Sequence, residues 1–104
     1  MRLRILTVPV SLAVAVALTA AGAIAYPGQQ YQKEAKITMA QARAIAIKAV
    51  PGAKITGTEL EKEKGGSGLR YSFDVKARGK NREIGVDAKT GKVLENAVEG
   101  AHPD

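Results

Sequence analysis

Cysteine is absent from this 104-residue chain, which removes disulfide staples, thiolate metal sites and thiol nucleophiles together. Tryptophan is absent as well, and one phenylalanine and three tyrosines are the only aromatics. A core must therefore come mainly from Ala, Ile, Val and Leu. The one histidine, His102, stands between Ala101 and Pro103, with no neighbour that would make it a general base or a metal ligand. No Ser-His-Asp set can be assembled. Gly65-Gly-Ser-Gly68 lacks the Lys-Ser/Thr pair and the helix of a phosphate-binding loop. The inventory describes a non-enzymatic protein, and no metal or cofactor is expected.

Charge excludes a further class. The formal net charge is +6, and it falls to +4 without Arg2 and Arg4. Acidic residues are interspersed, most densely at Glu59, Glu61 and Glu63. A nucleic-acid binder would show clustered Lys and Arg with aromatic platforms, so no nucleic-acid partner is expected.

The longest apolar run lies at the start. Met1-Arg-Leu-Arg4 is a positive head, Ile5 to Leu18 is mostly apolar, and Thr19 to Ala25 is built mainly of small residues ending in Ala23-Ile24-Ala25. This order is that of a secretory signal peptide over 1–25, cleaved between Ala25 and Tyr26. Ile5 to Ala25 is also just long enough for an uncleaved anchor, which would be the one route to membrane contact. Export to the periplasm or the medium is expected, and intact mass of envelope-derived protein checks the cleavage. A mature chain starting at Tyr26 is the expected result; full-length protein in the membrane pellet would refute it.

Tyr26 to Lys36 is polar and aperiodic and contains Pro27-Gly28, so 26–36 is expected to be a linker. Thr38 is a good N-cap, with Gln41 three residues on to complete a capping box. Met39 to Val50 is predicted helical. Ala42, Ile45, Ala46 and Ala49 share one face, read as core packing, with partner-helix binding the alternative. Pro51-Gly52 stops the helix.

The rest is strand chemistry. Lys54 to Lys64 alternates loosely, with Ile55, Thr58 and Leu60 inward. Glu59, Glu61 and Glu63 are read as a solvated face neutralised by Lys62 and Lys64, the alternative being a cation site. Leu69, Tyr71, Phe73, Val75 and Ala77 alternate with Arg70, Ser72, Asp74, Lys76 and Arg78, the cleanest strand in the chain. Gly79-Lys80 is the predicted hairpin turn into Asn81 to Asp87. Asp87-Ala-Lys-Thr-Gly91 supplies a second turn, in which Asp87 caps backbone N–H groups, Thr90 is a turn residue and Gly91 takes a positive φ. Lys92-Val-Leu94 resumes an extended course, and 96–104 is expected to be a loose tail. The fold class is α+β, one N-terminal helix on a three- to four-stranded antiparallel sheet.

Ile37-Thr-Met-Ala-Gln-Ala42, Ala44-Ile-Ala46 and Val50-Pro-Gly52 resemble the helix of a PepSY domain. Leu69 to Val75 resembles that family's central strand, and Gly85-Val-Asp-Ala-Lys-Thr-Gly-Lys-Val-Leu94 its closing V-D-A-x-T-G-x-V element. The resemblance spans residues 37–95. It implies a helix on an antiparallel sheet in an extracytoplasmic protein, without shared catalytic residues. Such domains occur in propeptides of secreted thermolysin-type metalloproteases, which implies a protein partner, a peptidase or another envelope protein, that this module inhibits or regulates. The alternative is a weak polyanion or membrane-surface binder using Arg70, Lys76, Arg78, Lys80 and Arg82 on one basic strand face.

Overall fold

The structure, a computed structural model, describes residues 25–100. Residues 1–24, which hold nearly all of the expected signal peptide, and His102 lie outside the described residues. Helix α1 (Met39–Ala49) is followed by β1 (Lys54–Lys62), β2 (Leu69–Ala77), β3 (Lys80–Asp87) and β4 (Val93–Val98). The strands form one antiparallel sheet in the order β1-β2-β3-β4, and α1 packs on one of its faces.

Local chemistry sets the bounds of α1. Thr38 Oγ1 accepts from the Gln41 N–H at 3.1 Å, and the Thr38 N–H donates to Gln41 Oε1 at 2.8 Å, so two otherwise orphaned donors are satisfied reciprocally. Val50 ends the helix ahead of Pro51. Ala42 and Ala46 are fully buried, and their small side chains let the helix axis approach the sheet closely. The core beneath them holds Leu60, Leu69, Tyr71, Phe73, Val75, Ile84 and Val86. Phe73 pairs across the sheet with Thr58 and Ile84 and stacks on Tyr71 with ring centroids 6.4 Å apart.

The turn of the β2–β3 hairpin sits one residue earlier than Gly79-Lys80. Ala77 pairs with Lys80, and the two loop residues are Arg78 and Gly79, with φ of 53° and 76°. Two positive φ values match the twist of the flanking strands, and Arg78 accepts the left-handed conformation to complete that turn.

Residues 26–36 are not a linker. Gln29–Glu34 forms a 3-10 helix, and Tyr26 and Tyr31 pack on the core. Tyr26 OH donates to Gln32 Oε1, Gln32 Nε2 donates to Tyr71 OH at 2.7 Å, and Tyr71 OH donates to Ile37 O at 2.6 Å. The segment is thus tied to β2 and to the entry of α1. Two anchoring aromatics leave no periodic signal, and so short a 3-10 helix has no amphipathic repeat to read. The segment also closes the outer edge of β1: the Leu60 N–H donates to Pro27 O at 2.9 Å, and Lys62 pairs with Glu34 at 3.1 Å and lies over the Tyr31 ring.

Gly28 makes this closure possible. Its φ is +86°, and a Cβ there would collide with the Leu60 carbonyl oxygen. Gly28→Ala is therefore expected to lift the segment from β1, at a cost on the order of 2 kcal/mol. Faster hydrogen exchange at the Leu60 amide and a lower urea midpoint are the expected results. An unchanged exchange rate would refute the closure.

β4 runs to Val98, so the expected tail at 96–104 begins as strand. Asn96, Ala97 and Val98 pair with Ile84, Glu83 and Arg82.

Candidate functional site

Register decides where the charged residues go. Tyr71, Phe73, Val86 and Ile84 share the helix-covered face, and so does Arg82, opposite Val75. The helix-free face carries Glu59 and Glu61 from β1, Arg70, Ser72, Asp74 and Lys76 from β2, Glu83 and Gly85 from β3, and Glu95 from β4. Glu63 adjoins Glu61, and Glu99 adjoins Asp74 and Glu83. Seven of the chain's ten acidic residues thus gather on this face, which makes it acidic in a chain that is basic overall.

The five cations expected on one basic strand face do not share a surface. Arg70 is only 8% exposed. Its Nη1 lies 3.3 Å from Glu95 Oε1, its Nη2 donates to Lys64 O at 3.1 Å, and its Nε has no partner. It lies flat across Gly85, where a Cβ would come within 3.1 Å of Nη1. A glycine in mid-strand is the one sequence signal for such a close approach. Lys76 is exposed on the same face as Arg70. Arg78, Lys80 and Arg82 line a groove on the other face, about 490 Å³ in volume, between the end of α1 at Val50-Pro51 and β4 at Asn96 and Val98. Arg82 Nε donates to Asn96 Oδ1 at 3.2 Å.

Lys62 does not neutralise the β1 carboxylates, because it pairs with Glu34 instead. Burial raises the Glu61 carboxyl first, and hydrogen bonding and repulsion from Glu63 and Glu59 raise it further, to about 7. The ordinary value is 4.5, so the unfolded chain ionises first as pH rises. Stability is lost between those two values as pH rises and regained as it falls. Glu61→Gln is expected to match the wild-type melting temperature at about pH 4 and to exceed it at about pH 8. Parallel melting curves across that range would refute the assignment.

At the far end of the same face, Asp74, Glu83 and Glu99 bring carboxylate oxygens within 4.8 Å of one another. This is the one group of cation-ligand spacing among the described residues, and Asp74 and Glu99 are open to solvent. In sequence Glu99 falls in the expected tail and so stands apart from Asp74 and Glu83, although Glu95, Ala97 and Glu99 carry the strand alternation onward.

Asp87 is 1% exposed. Its Oδ1 accepts from the Lys89 N–H at 2.8 Å, the Thr90 N–H at 3.0 Å and Ser67 Oγ at 2.8 Å, and its Oδ2 accepts from the Ser67 N–H at 2.6 Å. One carboxylate therefore holds both the turn into β4 and the loop from β1 to β2. Burial pushes this carboxyl up, but the bonds from Ser67, Lys89 and Thr90 outweigh it and hold it at about 2. Thr90 Oγ1 accepts from the Lys92 N–H at 3.2 Å. Gly91 has φ +83° and faces Ile45 and Ile37. Every oxygen of Asp87 is committed to the backbone and hydroxyl groups around it.

A single helix on a four-stranded meander, with its carboxylates gathered on the helix-free face and its cations divided between the two faces, is a small α+β domain with a charged sheet surface and one closed edge. The family profile described as "Peptidase propeptide and YPEB domain" matches residues 36–96. The chain belongs to this PepSY family. Neither the curated proteins nor the solved structures yield a match.

Proposed function

We propose that this chain is a non-catalytic, extracytoplasmic binding module that inhibits or regulates a peptidase or another envelope protein. The observation that carries this reading is the family match over residues 36–96, in a family described by its occurrence in peptidase propeptides. Supporting it, the buried carboxylate of Asp87 is used up in holding two loops. A module of this kind acts by occupying a partner's surface.

Titration of the purified protein into a secreted thermolysin-type metallopeptidase is the direct test. Saturable inhibition that persists at high salt, with the module left intact, is the expected result. An unchanged rate at large molar excess, or steady digestion of the module as a substrate, would overturn the reading. The alternative of a polyanion or membrane-surface binder predicts capture that fails as salt rises. The burial of Arg70, the division of the other cations and the acidic helix-free face all weigh against it.

A further inference from the structure

The two edges of the sheet are not equivalent. The β1 edge is closed by Pro27-Gly28 and by the Lys62–Glu34 pair, whereas β4 forms the other edge. The Glu99 N–H donates to Asn81 O, so Asn81 and Glu99 form a hydrogen-bonded pair. By antiparallel alternation, the backbone groups of Asn96 and Val98 point away from β3. Val93, one of two large hydrophobics exposed among the described residues, opens the same strand.

Charge is sorted across this edge. On the helix side, Arg78, Lys80 and Arg82 line the groove beside Asn96 and Val98, with Val50 and Pro51 as its apolar wall. On the other side stand Glu95, Glu83 and Glu99. A strand added to β4 would send alternate side chains to these two opposite potentials.

We propose that β4 receives an extended segment of a partner protein as a fifth strand, and that the segment carries acidic residues toward Arg78, Lys80 and Arg82 alternating with basic residues toward Glu95, Glu83 and Glu99. This rests on the reading of the chain as a binding module and names where and what it binds. A second copy fits poorly. Antiparallel pairing of two β4 edges keeps both helices on one side, and so sets cations against cations and carboxylates against carboxylates.

The test uses a fluorescein-labelled peptide of about eight residues alternating Glu and Lys, long enough to cover β4. Two further versions are N-methylated at every second amide, in the two possible phases, and all-Glu and all-Lys peptides serve as comparisons. Fluorescence anisotropy is expected to show binding of the alternating peptide, with one methylation phase weakening it about tenfold or more and the other sparing it. Arg82→Glu and Asn96→Pro are each expected to weaken binding, while Asn96→Ala, which keeps the edge amide, retains most of it. Equal binding of the all-Glu peptide, indifferent to methylation phase, would overturn the proposal in favour of a simple anion groove. Protection of the β4 amides by concentration-dependent dimerisation, without peptide binding, would overturn it in favour of a second copy. Peptidase inhibition separates the two readings. Full inhibition by the Asn96→Pro variant removes the edge and leaves the module, and phase-dependent peptide binding without any peptidase inhibition does the reverse.

Discussion

Replacing Phe73 by alanine is expected to leave much of the protein unfolded at room temperature. Phe73 has no solvent exposure, pairs with Thr58 and Ile84 on neighbouring strands, and stacks on Tyr71. It is the only phenylalanine in a chain without tryptophan, so no other large side chain can fill the space. Truncation at such a site costs roughly 3–5 kcal/mol, and a domain this small has on the order of 5 kcal/mol in total. Urea denaturation followed by far-ultraviolet circular dichroism measures the loss. Phe73→Leu keeps most of the volume and is expected to stay folded with a lowered midpoint. An unchanged midpoint for the alanine variant would mean that β2 turns its other face to α1.

The second large effect concerns Asp87. As the cap of a single turn, its loss would cost about 1–2 kcal/mol, and asparagine would be mild because an amide oxygen still accepts. The structure alters both expectations. Oδ1 and Oδ2 each accept, from two different loops. Asparagine offers an oxygen to one side and turns an NH₂ group toward donors on the other. Asp87→Asn is therefore expected to be clearly destabilising, and Asp87→Ala more so, at roughly 3 kcal/mol, since several buried donors lose their acceptor together.

Acid separates this role from others. The folded-state carboxyl titrates at about 2 against an ordinary 3.8. Its contribution is therefore complete above about pH 4 and is lost as pH falls through 2, amounting to about 2 kcal/mol. Wild type is expected to lose stability across that window, and the Asn and Ala variants to show a flatter acid limb. Equal acid sensitivity in all three would refute the assignment.

The contrast between α1 and residues 26–36 shows what can be read from one-dimensional pattern. α1 was legible because its determinants are local: Thr38, Gln41 and Pro51 act within a turn of where they stand. β2 was legible because five apolar residues alternate with five polar ones. Tyr26 and Tyr31 have no such repeat, and they reach the sheet through remote contacts: Tyr26 by way of Gln32 to Tyr71 on β2, and Tyr31 under Lys62 on β1. The burial of Arg70 needed Gly85 and Glu95, 15 and 25 residues away, and Ser67 completes the Asp87 constellation from 20 residues away. The second half of β4, from Asn96, reads as a tail because an edge strand with polar residues on both faces carries little apolar signal. The candidate surface was therefore less legible than the fold: its cations were named, and the faces they occupy depend on pairings between strands.

The tying of residues 26–36 to the sheet has a kinetic consequence. Each β-hairpin joins neighbours in sequence and can form as the chain emerges. The N-terminal segment cannot, because the Pro27 carbonyl waits for Leu60, and the amides of Lys36 and Ile37 wait for the Ala88 carbonyl. Synthesis runs from the N-terminus, so the first part of the domain to be made is among the last to dock. Through that interval the outer edge of β1 stays uncovered, with the Leu60 amide lacking its acceptor at Pro27. Once Ala88 has arrived and the segment has closed over β1, that edge is shut to any other strand.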